Sequence, residues 1–386
     1  LNVYMEANDY IRREIPFVNY VRDIKDAGVY IITTFQRTGS GGMEYTYFLT
    51  GQNEFKGMSD TLSFVTKPDG TTDERRAQEV ATLKLGLMRY IAKTPLAQYM
   101  NIAFSQPISE TVSTDKWNSW VLRASVNGNL RGQKTSSSTN FSGNISANRV
   151  TENWKVNLNA MYSSSKDKFE IGPTTITSDN KSNSLNGLVV KSLSDHWSLG
   201  GSAFLSSSSF SNEKLNATIM PGIEYDLFPY SESTRRQMRV LYSIGFRHID
   251  FIDTTIYNKI EENLWRHSLS LAYEVVQKWG SVDLTADYSN YLHDWSKNNL
   301  SLSGSLDLRI AKGLSMNLRG SISLIHDQLG LVKGDIPTEQ ILLRRQELKT
   351  RYEYRANFGF TYTFGSIYNN VVNPRFGNQS SYSMYF

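Results

Sequence analysis

The chain has 386 residues, a formal net charge of +4 and no cysteine. So weak a charge argues against a nucleic-acid partner, and the missing thiols exclude disulfides and thiolate metal sites. Mean hydropathy is −0.41 and no apolar run approaches the roughly 18 residues of a transmembrane helix, but strands that alternate apolar and polar residues cross a membrane with a soluble-looking average.

At this length two folding units are expected. Residues 1–95 read as a small α+β domain. Leu1 to Ala7 forms a short strand, and Leu1 opens no signal-peptide pattern, as in a chain whose leader is gone or whose start lies upstream. Asp9 can cap a helix in which Ile11, Ile15, Val18, Val21 and Ile24 recur at helical spacing, with Pro16 either kinking it or beginning a second segment as a first-turn proline, and a stop at Gly28. Strands follow at Val29 to Phe35, Glu44 to Thr50 and Leu62 to Thr66. Thr72 and Asp73 open a second helix whose apolar face is Ala77, Val80, Leu83, Leu87 and Ile91, ended by Pro95. The order is β-α-β-β-β-α. At fold level it is similar to small periplasmic domains of envelope assembly and secretion proteins, an analogy that carries no chemistry. Residues 96–116, with Gln106 and Pro107, read as a linker.

From Trp117 the period becomes two. Leu300, Leu302, Leu306, Leu308 and Ile310 alternate with Ser301, Ser303, Ser305, Asp307 and Arg309. Leu314 to Leu324, Val282 to Tyr288 and Tyr352 to Phe364 repeat the rule, and weaker versions start near Trp120, Phe141, Trp154, Leu185, Trp197, Leu215, Val240 and Trp265, twelve in all. The segments are about ten residues long, enough to cross a bilayer at a tilt, where soluble strands average about five or six. Trp154, Trp197, Trp265, Trp279 and Tyr362 stand near segment ends, as an interfacial girdle requires. Short connections near 148–153, 194–196, 231–235, 277–278 and 311–313 alternate with long ones near 128–140, 166–183, 206–214, 251–263, 292–299 and 326–350. The expected fold class is mainly β: an antiparallel transmembrane β-barrel of about twelve strands over residues 117–366, preceded by the α+β domain. Residues 367–386 are a tail or a closing segment. Short turns and an even strand count place the front domain in the periplasm.

Phe358, Phe360, Tyr362 and Phe364 resemble the aromatic last-strand signal of Gram-negative outer-membrane barrels, and Tyr382, Met384 and Phe386 have the same form. The resemblance implies an outer-membrane location, contact with lipid and lipopolysaccharide, and delivery by the barrel-assembly machinery. It points to no single characterised family.

With the polar face inside, the lumen carries Arg123, Arg239, Arg247, Arg266, Glu274, Asp283, Asp287, Asp307, Arg309, Arg319, Glu353 and Arg355, with Glu224 and Asp226. Mixed charges in a confined lumen should form bidentate pairs, either as a charged constriction of a selective pore or as a network that stiffens the wall.

Catalysis has little to stand on. Of His196, His248, His267, His293 and His326, those next to Asp250, Ser268 and Asp294 are the ones a barrel lipase or protease would use, but no local motif accompanies them. No metal-ligand spacing appears and no cofactor is expected. Gly39, Ser40, Gly41 and Gly42, after Arg37, lack phosphate-loop spacing and read as a hairpin connection. In the loop from His326 to Thr350, Ile341, Leu342 and Leu343 precede Arg344 and Arg345, a patch that caps the mouth or meets lipopolysaccharide phosphate or a protein. The leading expectation is a non-enzymatic barrel that anchors a periplasmic domain for an envelope protein partner. A small-solute channel is the alternative, and a barrel enzyme acting on lipid or protein comes third.

Overall fold

The computed structural model describes residues 1–99, 115–334 and 348–365. They form two sheets, one of five strands and one of twelve.

The front domain holds β1 (Asn2–Tyr4), α1 (Asp9–Glu14), β2 (Asn19–Tyr20), β3 (Val29–Arg37), β4 (Met43–Gly51), β5 (Ser59–Val65) and α2 (Thr72–Ile91), in the sheet order β2-β1-β3-β4-β5. The first helix is far shorter than its apolar spacing suggests. Asn8, not Asp9, caps it by accepting from the Ile11 amide, and it stops at Glu14, because the residue before a proline avoids helical backbone. Val18 and Val21 are buried all the same: the chain turns, and β2 adds a parallel edge to β1, an element beyond the expected order. The second helix begins as predicted. Thr71 and Glu74 form a reciprocal capping box, and Val80, Leu83, Leu87 and Ile91 are buried, with Tyr90 joining them and Ala77 left exposed. They pack on Ile31, Tyr47 and Leu49 to make the core.

Within that core the Tyr47 hydroxyl donates to Glu79 Oε1 at 3.0 Å. Burial raises the Glu79 carboxyl above its ordinary 4.5, and the Tyr47 bond and Arg75 only partly offset it. A raised carboxyl favours the protonated folded state, so its stabilisation is full below 4.5 and is lost as pH rises through the raised value. Hydrogen exchange of the front domain in the intact protein should therefore quicken as pH climbs through that window, after correction for intrinsic rates. Glu79→Gln, which still accepts from Tyr47, should remove the slope.

The large sheet is a single antiparallel meander. Its strands are β6 (Trp120–Gln133), β7 (Ser136–Val150), β8 (Trp154–Ile171), β9 (Thr174–Ser192), β10 (Trp197–Ser208), β11 (Glu213–Asp226), β12 (Arg236–Phe251), β13 (Glu261–Gln277), β14 (Gly280–Tyr291), β15 (Asp294–Ala311), β16 (Leu314–Ile325) and β17 (Tyr352–Tyr362). The count matches the twelve alternating segments. Each strand pairs with its sequence neighbours, and among the described residues no ladder joins β17 to β6, whose side chains are exposed on both faces.

The short turns lie where the sequence puts them, but three of the six expected long loops do not exist. Residues 128–140, 166–183 and 292–299 are largely strand, joined by two-residue links at 134–135, 172–173 and 292–293. Apolar alternation ends at the edge of the apolar band, whereas backbone pairing continues through Ser, Asn, Thr and Lys beyond it. Strands such as β8 and β9 thereby reach 18 and 19 residues.

Register puts one set of side chains on each face. Leu122, Val126, Ile219, Trp265, Leu271 and Phe358 belong to the apolar face, and all are exposed. Trp154, Trp197, Trp279 and Tyr362 stand at its short-turn end, and Trp265 and Trp295 near the other. From Trp265 to Val275 the apolar face runs ten steps of about 3.3 Å, which at a tilt of about 40° spans roughly 25 Å, the height of a barrel's lipid-facing band.

Candidate functional site

The polar face and what covers its two ends make the candidate site. At the short-turn end sits the front domain. Its helices cover one face of its sheet, and the other face, with Gln36 and Phe48, meets the turn between β11 and β12. Gln36 Nε2 donates to Ser233 Oγ at 3.1 Å, and the Arg235 guanidinium lies 5.0 Å from the Phe48 ring centre. On that face Thr34 and Thr46, paired across β3 and β4, are buried.

Further contacts spread around the rim. The Arg309 guanidinium lies over the Tyr4 ring at 4.3 Å and 3.4 Å from Glu6, and Lys312 pairs with Asp26 at 2.6 Å. Arg22 donates to the Phe364 carbonyl and Arg123 to the Gly41 carbonyl, both at 3.3 Å. The glycine loop is thus the expected hairpin connection, and it also approaches the barrel sheet closely: a Cβ on Gly39 would lie 2.5 Å from Val150 Cβ.

At the far end the loop after β16 folds inward. Leu329 clusters with Ile249, Phe251, Leu264 and Tyr291, of which Ile249, Leu264 and Tyr291 stand on the polar face. Asn212 Nδ2 holds the Gly330 carbonyl at 3.1 Å, and Thr255 bridges to Val332. Residues Ile341 to Arg345 lie outside the described residues, as do the tail 367–386 and its Tyr382, Met384 and Phe386.

Register sets all twelve expected lumen charges on the polar face, but their pairing differs from expectation. Asp307 and Arg319 meet at 3.4 Å, Glu353 and Arg355 at 3.3 Å, and Glu224 and Arg239 at 3.6 Å, each through a single close contact. Asp307 stands opposite Asn317 and Arg319 opposite Ser305, so the pair is diagonal and meets through one guanidinium nitrogen. Arg123 and Arg309 turn to the front domain instead. Arg266 donates to Ser289 Oγ at 2.6 Å. Glu274 and Asp283 are cross-strand partners of like charge, and Asp287 stands between Ser270 and Ser301.

The best-buried pair is one that sequence reasoning misses. Arg247 Nη2 lies 2.7 Å from Glu213 Oε1, its Nε donates to Asn216 Oδ1 at 3.2 Å, and its Nη1 donates to the Tyr291 hydroxyl. At the short-turn end, Ser198 Oγ lies 3.0 Å from the Tyr230 hydroxyl, which donates to Glu224 Oε1 at 3.1 Å. Burial raises the Tyr230 hydroxyl above its ordinary pKa, and Glu224 adds to the rise.

The histidines do not converge on a nucleophile. His248 Nε2 lies 3.3 Å from Asp250, and its Nδ1 lies 2.8 Å from Asn263 Oδ1. His267 is on the apolar face among the rings of Tyr242, Tyr288 and Trp295, whereas Ser268 faces the other way. His196 Nδ1 lies 2.8 Å from the Asp226 carbonyl, and His326 Nδ1 lies 3.1 Å from Asn298 Oδ1. The His293 ring lies tilted beside that of Tyr291, 6.0 Å between centres, and its neighbour Asp294 accepts from Ser296. Among the described residues no group of three or more His, Asp or Glu could hold a metal ion.

A family model described as "Protein of unknown function, DUF481" matches residues 131–343. No curated protein matches the chain. Among the solved structures that resemble it are two outer-membrane proteins, both with low similarity. The NanC porin is 9% identical with a TM-score of 0.27, over 64% of this chain and 99% of the porin. The translocator domain of the autotransporter NalP from Neisseria meningitidis is 11% identical with a TM-score of 0.27, over 64% of this chain and 87% of that domain.

Proposed function

The chain belongs to the DUF481 family, and from that footing we propose that it is an outer-membrane β-barrel protein that anchors its α+β domain on the periplasmic side, as a non-enzymatic part of an envelope complex. One observation carries this reading: a whole face of the twelve-stranded sheet presents large apolar side chains that stand exposed, uncovered by any described part of the chain. An area of that size needs an apolar phase, and lipid supplies it along a band flanked by tryptophans. Phe358, Phe360, Tyr362 and Phe364 then serve as the signal to the assembly machinery, and lipopolysaccharide meets the outer rim.

The anchor reading is favoured over the channel because both ends of the polar face are covered, one by the front domain and one by the loop that carries Leu329. The front domain lays its sheet on the rim, and the outer surface of α2 is left to meet a protein partner.

The test begins with extraction. The intact protein should need detergent, and it should run faster on a denaturing gel unheated than boiled. Protein that stays monomeric in buffer without detergent would overturn the barrel. Because the chain has no native cysteine, Asp26→Cys with Lys312→Cys gives a clean pair. A short bismaleimide should join it in intact cells if the domain is docked. Stable, reproducible conductance steps in a planar bilayer would replace the anchor by the channel.

A further inference from the structure

The polar face is not polar everywhere. At its short-turn end, between β8–β12 and the docked domain, is a cavity of about 540 Å³, within the range of roughly 300–1,000 Å³ typical of small-molecule sites. Gln36 of the front domain forms part of its lining. On the wall stand Leu188, Val190, Met220 and Leu241, whose registers place them on the same face as Asn157, Ser202 and Glu224. Alternation alone would give polar residues there, and the outer lipid does not reach that side. The space between them comes from small side chains: Gly200 stands opposite Gly222, and Gly222 opposite Ser243.

Two further features give the cavity polarity. One flank is closed by the Ser198–Tyr230–Glu224 chain of hydrogen bonds, with Arg239 beside Glu224. These groups satisfy one another. On the other side Lys155 is the cross-strand partner of Val190. It is exposed and makes no ion pair among the described residues. An apolar wall beside a free ammonium group matches a molecule with a hydrocarbon body and one anionic group.

We propose that this cavity binds an anionic amphiphile, its chain along Leu188, Val190 and Met220 and its anionic group at Lys155. The proposal rests on the domain's being docked over the mouth of a barrel, because Gln36 closes the space.

The protein in nanodiscs of zwitterionic lipid is titrated with a dansyl-labelled fatty acid, and with the corresponding dansyl-labelled alcohol as the uncharged control. Saturable binding of the acid is expected, with the alcohol weaker. Lys155→Gln should lower affinity for the acid by about tenfold, the equivalent of one lost ion contact, and leave the alcohol unchanged. Ser202→Trp fills the cavity from the polar face, away from lipid, and should abolish saturable binding. Acid binding that is equal in wild type, Lys155→Gln and Ser202→Trp is annular and overturns the proposal, as does the absence of saturable binding in wild type. Two controls run in parallel with each substitution and report the barrel and the docking separately. They are heat-modifiable migration and bismaleimide cross-linking in the background that carries Asp26→Cys with Lys312→Cys. Their loss in the otherwise unsubstituted protein sinks the reading beneath the proposal, and their retention with no binding sinks only the proposal.

Discussion

Arg247→Met is expected to cause the largest loss of barrel stability of any single change on the polar face. The guanidinium and Glu213 are each only 15% exposed, and the same fork also holds Asn216 and Tyr291. Removing one member of a buried pair leaves the other charge without a partner, which costs about 3–5 kcal/mol. The loss extends further, because Tyr291 belongs to the cluster that seats Leu329 and with it the start of the loop after β16. The temperature at which the compact form converts to the slow form on a gel should fall on the order of 10 °C. Arg247→Met with Glu213→Gln should recover much of that fall, since the stranded charge is gone. If the single and double variants convert at the same temperature, the pair is not a structural tie.

This network shows where the sequence is legible and where it is not. The alternation from Trp120 to Tyr362 fixes twelve strands and their faces, because a period of two can place a residue on only one side. It does not fix where strands end. Glu213 falls in an expected loop because the apolar rhythm of β11 begins at Leu215, and Tyr291 falls beyond the alternating run that stops at Tyr288. Both lie on paired backbone past the apolar band, where hydropathy carries no signal but hydrogen bonding continues. The length of the front helix is misread for a related reason. Ile11 and Ile15 keep helical spacing with Val18 and Val21, but Pro16 breaks the backbone, and the later residues reach the core from a turn and an edge strand. The start of the second helix at Thr72 and the apolar stripe from Val80 to Ile91 read correctly because each is a local pattern, although the capping box that Thr71 forms with Glu74 appears only in the structure. Docking is not local: nothing in Gly39 to Gly42 announces Val150 as its neighbour, and nothing in Glu6 or Asp26 names Arg309 or Lys312.

That contact supplies the second large effect. Gly39→Leu should loosen the front domain from the rim while leaving both sheets folded. A Cβ at this position already lies 2.5 Å from Val150 Cβ and 3.4 Å from its Cα, atoms fixed at the end of β7, so a leucine must push the loop away. Overpacking of this kind costs about 1–3 kcal/mol, a factor of about 5 to 150 in the docked-to-undocked ratio. Thr46→Cys reads the ratio directly. Its side chain is buried on the sheet face turned away from the helices, so a maleimide labels it when the domain lifts. Labelling should quicken by about that factor in the Gly39→Leu background, and Gly39→Ala should fall between the two. Equal rates in all three backgrounds would mean that the glycine loop does not hold the domain, and the docking would then rest on the contacts of Gln36 with Ser233, Phe48 with Arg235 and Arg22 with Phe364 and on the ion pairs at Arg309 and Lys312.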